Sequence, residues 1–89
     1  MNVYFSKTAR QQLEAWQKSN PAIAIKIEEL IDDIRKNGFL VGIGKPERLK
    51  YHSKPNRYSR RITQSDRLVY APYQSGIIII ACKGHYEDS

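Results

Sequence analysis

Four consecutive isoleucines at positions 77–80, followed by Ala81 and Cys82, are what the rest of this chain must fold around. The run is β-branched and too short for a helix of its own, and Gln-Ser-Gly precedes it, so it predicts a strand. Apolar residues at both alternating positions mean a central strand, covered on both sides or well packed on one. Its neighbours are at hand. Residues 57–63 (RYSRRIT) and 67–73 (RLVYAPY) predict two more strands, and the links QSD and QSG are of hairpin length. Pro72 cannot donate to a ladder, so it marks an edge or a bulge. NVYF at 2–5 is a further short strand, and ERLKY at 47–51 holds at most a brief one.

The covering layer comes from the first forty residues. Ser6 is placed to cap a helix in which Ala9, Leu13 and Trp16 recur on one face. Asn20-Pro21 restarts the chain, Asn as the cap and Pro at the first helical position. The second helix lines up Ile23, Ile27, Leu30, Ile31 and Ile34, leaves Glu28, Glu29, Asp32 and Asp33 to water, and ends at Gly38. So short a link makes an antiparallel helical hairpin. Residues 38–56 hold three of the five glycines and two of the four prolines and read as loop. The expected fold is α+β: an N-terminal strand and a helical hairpin packed on one face of an antiparallel sheet. The other face stays open and carries arginines. All of residues 1–89 form one domain, with no repeats or linkers.

Charge narrows the function. The chain carries +6, but residues 35–67 alone hold ten Lys/Arg against two acids, and everything outside them sums to −2. A concentrated basic window attracts a polyanion, nucleic acid being the commonest. Seven of the fifteen basic residues are arginines, whose planar fork suits phosphate. Lys45, Lys50, Arg60 and Arg61 in this window are the RNA-binding candidates. No apolar stretch reaches membrane-spanning length, and no secretory leader is visible. Cys82 has no partner for an internal disulfide and reads as a small hydrophobe. A cytoplasmic protein without membrane contact is the expectation. With two histidines, one cysteine and no C-x-x-C or H-x-x-x-H spacing, no zinc site is expected. GIGKPE lacks the strand-turn-helix context of a phosphate loop, so no cofactor is implied.

Around the strands sit groups that could do acid–base work. Glu47 is set among Lys45, Arg48 and Lys50. Arg60 and Arg61 are adjacent in a strand and therefore point to opposite faces. Arg67 opens the next strand, and His85 and Tyr86 follow the last. Cleavage of RNA by its own 2′-hydroxyl needs a base, an acid and cations on the phosphorane. A histidine supplies a proton near neutrality. Each residue also has a plainer role: Glu47 as a surface acid, His85 solvated, Tyr86 packed over the sheet edge, Arg61 paired with Asp33. Composition and spacing thus reach a basic α+β domain that is either a non-catalytic nucleic-acid-binding module or corepressor, or a metal-free ribonuclease.

Three stretches in order, GIGKPERLKY, YSRRITQSDRLVYA and IIIIACKGHY, resemble the YoeB (Txe/YoeB) family of bacterial toxins within the wider RelE group. That family's pattern is G-x-GKPE-x-L, then W/Y-SRRI-x-x-x-x-RLVY, then a terminal HY. WQ in the first helix and KIEELIDDIRKNGF in the second agree with it. The resemblance covers nearly the whole chain. It implies a RelE/microbial-RNase-like fold and a ribosome-dependent mRNA endoribonuclease of a type II toxin-antitoxin system. By motif, it implies Glu47 as general base, Arg67 on the phosphate, His85 as general acid and Tyr86 as an aid to placing the nucleotide. Lys50 and Arg61 match positions that contact phosphate or ribosomal RNA. The implied partners are a cognate YefM-like antitoxin, the 70S ribosome with its mRNA, and operator DNA only through the antitoxin; homodimerisation is compatible with it. The chain departs from the pattern at YHSKPNRY (51–58), longer than usual, at Tyr58 where relatives have Trp, at Ser65 in place of an acid, and in the tail EDS beyond HY.

Overall fold

The computed structural model describes residues 1–50 and 56–85. In chain order it contains β1 (Asn2–Phe5), α1 (Lys7–Ser19), α2 (Pro21–Asn37), β2 (Glu47–Arg48), β3 (Tyr58–Arg61), β4 (Arg67–Tyr73) and β5 (Gly76–Ala81). The strands form one five-stranded sheet in the order β1-β5-β4-β3-β2. The isoleucine strand β5 is flanked by β1 and β4, as its unbroken apolar run requires. Ile77 and Ile79 point under the helices and are fully buried, while Ile78 and Ile80 on the other face are half-buried.

The sheet is mixed rather than antiparallel. β1 pairs with β5 in parallel, Val3 opposite Ile77 and Phe5 opposite Ile79. The two strands sit at opposite ends of the chain, so the whole intervening sequence serves as the long crossover that parallel pairing requires. Nothing local in four residues encodes that direction. The other pairs are antiparallel. β3 begins at Tyr58, opposite Tyr70, so among the described residues Pro72 has a ladder neighbour only in β5, and β4 carries a register shift between Val69 and Tyr70. A proline is tolerated in a strand under those conditions.

Local chemistry sets the helix ends. Ser6 Oγ accepts from Ala9 N–H at 3.0 Å and donates to Ile80 C=O at 2.8 Å, so the α1 cap also ties the helix to β5. Asn20 stands at the cap position of α2 but makes no side-chain capping bond; Pro21 alone marks that start. Gly38 closes α2 at φ 91°, its N–H bonded to Ile34 C=O. Both helices lie on one face of the sheet. α2 buries Ala24, Ile27, Leu30, Ile31 and Ile34, and the core is completed by Ala9, Ile62, Leu68, Tyr70, Ile77, Ile79 and Cys82. Cys82 is fully buried with no disulfide, and burial pushes its thiol up to about 11, so it stays protonated at neutral pH. No helix among the described residues is long and apolar enough to cross a membrane.

Candidate active site

Strand alternation decides which charged groups share the open face. Ser59 lies opposite Val69 and Glu47 opposite Ser59, while Arg61 lies opposite Arg67. Residues two apart in a strand point the same way. Glu47, Ser59, Arg61 and Arg67 therefore stand together on the face away from the helices. Arg60, Leu68 and Tyr70 point beneath them. Between these open-face residues is a cavity of about 250 Å³ lined by Lys45, Pro46, Glu47, Ser59, Arg61 and Arg67. Among the described residues its walls carry three cations and a single carboxylate. Lys45, Glu47 and Arg61 are exposed and Arg67 is half-buried, so the pocket is open to a polyanion and lined to hold one.

The loop before β2 brings Lys45 and Glu47 to the pocket by a sharp reversal. Gly44 has φ 84°, and Lys45 follows at φ 51°, a left-handed backbone that costs a non-glycine residue about 1–2 kcal/mol. A Cβ on Gly44 would lie 2.8 Å from Leu30 Cδ2. Gly44 C=O accepts the N–H of Arg61 at 2.7 Å, fastening the loop to β3 beside the pocket.

Arg60 is not on this surface. The expectation that it contacts RNA is corrected: its side chain is fully buried. Nor is it Arg61 that pairs with Asp33, but Arg60, at 2.5 Å. The guanidinium also donates to the carbonyls of Gly38, Val41 and Ile43 and, through Nε, to Tyr70 Oη, each within 3.0 Å. Tyr70 Oη donates in turn to Phe39 C=O, and Asp33 accepts from Ile43 N–H and Asn37 Nδ2. The hydrogen bond from Arg60 holds the Asp33 carboxyl below the usual carboxylate value. This hub ties down residues 38–43, the segment that leads into the pocket loop. Tyr70→Phe removes the hydroxyl that serves both Arg60 and Phe39; we expect it to cost about 1–3 kcal/mol in urea unfolding, with no loss if the hydroxyl is dispensable.

His85 reaches the pocket's neighbourhood through the chain end rather than through the sheet. β5 ends at Ala81, and the residues after it are pinned from two sides. Cys82 N–H donates to Gln12 Oε1 and Cys82 C=O accepts from Trp16 Nε1 on α1. Gly84 C=O accepts from Arg67 N–H at 3.0 Å and Gly84 N–H donates to Asp66 Oδ1 at 2.7 Å. His85 is the next residue and is exposed. It is therefore tethered beside Arg67, one wall of the pocket, though it does not itself line the cavity. Lys50 is exposed just past β2, outside the cavity lining. Tyr86 lies outside the described residues. Among the described residues no group of three or more His, Cys, Asp or Glu is arranged to hold a metal ion.

The sequence reading missed Ser59 and Asp66. Ser59 was recoverable, since it lies two residues before Arg61 on the same strand and must share its face. Asp66 is revealed only by the tertiary contact with Gly84.

Residues 5–86 match the family model described as YoeB-like toxin of bacterial type II toxin-antitoxin system. The chain is 42% identical to the toxin YoeB of Escherichia coli K12, over 97% of its own length and all of that protein's. Among solved structures, the YoeB dimer from Staphylococcus aureus superposes with a TM-score of 0.89 at 42% identity, over 97% of this chain and 98% of that one. The YoeB-YefM complex from the same organism superposes at 0.85 with 43% identity, over 97% and 98%.

Proposed function

This chain belongs to the YoeB-like family of bacterial type II toxins, and on that premise we propose that it is a ribosome-dependent, metal-independent mRNA endoribonuclease silenced by a YefM-type antitoxin. The observation that carries the reading is the pocket in which Glu47, Arg61 and Arg67 meet, with His85 tethered at its side. In the proposed reaction Glu47 takes the proton of a ribose 2′-hydroxyl, whose oxygen attacks the adjacent phosphorus. Arg67, Arg61 and Lys45 hold the negative charge that grows on the phosphorane oxygens. The bond from phosphorus to the 5′-oxygen breaks as His85 gives that oxygen its proton. The products are a 2′,3′-cyclic phosphate and a free 5′-hydroxyl. Tyr86, as the family motif implies, helps place the nucleotide.

Two features support a dependence on the ribosome. The pocket is walled largely by exposed side chains and its proposed acid stands outside the lining, so little in the protein alone would hold a mobile RNA strand in line for attack. The surrounding basic window suits a large polyanionic partner. The YefM complexes known for the staphylococcal relatives support an antitoxin laid over the toxin, and the staphylococcal dimer supports a homodimer.

Mapping RNA ends tests this directly. Purified protein should create new 5′-hydroxyl ends in ribosome-bound mRNA, few in the same RNA without ribosomes, and none after a YefM-type antitoxin is added. Salt-sensitive RNA binding with no new ends would favour a non-catalytic binding module instead. Equal cutting of naked RNA would remove the ribosome from the mechanism.

A further inference from the structure

The turn joining β3 to β4 is built around one carboxylate. Asp66 Oδ2 accepts from Thr63 Oγ1 at 2.6 Å, and its backbone carbonyl accepts from Ile62 N–H and Thr63 N–H. Ser65 N–H donates to Thr63 Oγ1 at 3.2 Å, so the turn is ordered from within. The second oxygen, Oδ1, is left to face the chain end, and it accepts from Gly84 N–H at 2.7 Å. The neighbouring residue, Arg67, takes Gly84 C=O through its own N–H. Both polar groups of one peptide residue are thus held by two consecutive residues of the turn. Gly84 has φ 88°, and a Cβ there would meet nothing within 4 Å. The left-handed backbone, not lack of space, is what favours glycine; that turn of the chain aims its N–H and C=O at residues 66 and 67.

From this geometry we infer that Asp66 is a positioning residue for His85: its carboxylate fixes the Lys83–Gly84 peptide, one step ahead of the Gly84–His85 peptide that Arg67 N–H holds, and so sets where the general acid stands relative to Arg67. The inference rests on the assignment of His85 as that acid. Burial acts to raise the carboxyl of Asp66, but the hydrogen bonds from Thr63 and Gly84, helped by Lys83 and Arg67, outweigh it and hold the group below its ordinary value. It remains an ionised acceptor across the neutral range. A charge-assisted bond of this kind is about twice as strong as one to a neutral acceptor. Without it, residues 82–84 keep the bond from Arg67 N–H to Gly84 C=O and the α1 contacts at Cys82, but the Lys83–Gly84 peptide loses its anchor and the approach to His85 is held from one side only.

The test combines kinetics with a direct probe of the clasp. In single-turnover cleavage of ribosome-bound mRNA, Asp66→Ala should lower the maximal rate on the order of 10- to 100-fold, with the half-saturating ribosome concentration changed by less than about twofold. Asp66→Asn keeps an acceptor oxygen and should recover most of that loss. His85→Ala should lose at least about a hundredfold, and Asp66→Ala added to it should cost nothing more, since both changes act through one group. The Gly84 amide resonance should shift upfield in Asp66→Ala and stay in place in His85→Ala. Asp66→Ala at the wild-type rate, an unmoved Gly84 resonance, or a double variant showing the product of the two losses would each overturn the positioning role. His85→Ala at the wild-type rate would instead overturn the acid assignment on which it rests, and the two failures are told apart by that single variant.

Discussion

Replacing Glu47 with glutamine should slow cleavage of ribosome-bound mRNA by about 10²- to 10⁴-fold, the usual worth of a positioned base, without weakening RNA binding. The two halves of this expectation come from one feature. Among the described residues, Glu47 is the one acid lining a pocket whose other charged walls are Lys45, Arg61 and Arg67. Glutamine keeps the shape and a hydrogen-bonding oxygen but not the ability to accept the 2′-hydroxyl proton. It also removes a negative charge from among the pocket's cations, so attraction for a phosphate backbone rises. The expected signature is a large fall in rate with equal or tighter affinity, most visible at low salt. A carboxylate that merely balanced its neighbours would behave otherwise: its loss would tighten binding and leave the rate alone. Rates and affinities measured on the same preparation separate the two, and an unchanged rate would remove Glu47 from the chemistry.

The parts of the fold written in local signals were readable in advance. The cap at Ser6, the restart at Pro21 and the stop at Gly38 bound the two helices, because a cap, a proline and a left-handed glycine act within a few residues of themselves. The strand at 67–73 was expected with the limits it has, since turn residues flank it on both sides. The partner of β1 was not readable. A four-residue strand carries no record of whether its neighbour runs parallel or antiparallel, and that neighbour lies more than seventy residues away.

The candidate site divides along the same line. Alternation requires Arg60 and Arg61 to face apart, and they do. Which one faces inward depends on how β3 registers against β4 and on the loop that wraps the inner one, and both are tertiary facts. The motif GKPE located the pocket loop, yet the reversal that delivers it depends on Gly44 meeting Leu30 and Arg61. The anchorage of His85 was least visible of all. Gln12, Trp16 and Asp66 come from a helix and a turn, and nothing in their spacing says that they converge on residues 82–84.

Arg60→Met should cost on the order of 3–5 kcal/mol, because a fully buried guanidinium gives up five hydrogen bonds at once, each worth roughly 1 kcal/mol net. That is a large share of the roughly 5–15 kcal/mol available to a small domain. Methionine approximates the volume of the side chain but donates nothing, so the carbonyls of Gly38, Val41 and Ile43 and the hydroxyl of Tyr70 lose their donor together. Arg60→Lys should recover only part of the loss, because one ammonium cannot reproduce a fork that serves five acceptors. The ion pair itself can be isolated by pH. Asp33 titrates below its ordinary value, first because of its hydrogen bond from Arg60. A depressed carboxylate stabilises the fold above its unfolded value, about 3.9, and that contribution is lost as pH falls through the lowered folded value. The gap between wild type and Arg60→Met in urea unfolding should therefore be full at pH 7 and narrower at pH 3. An equal gap at both would mean that the carbonyl contacts alone carry the effect. Because the same guanidinium holds residues 38–43, cleavage should also fall in Arg60→Lys under conditions where it is fully folded, although Arg60 itself reaches no substrate.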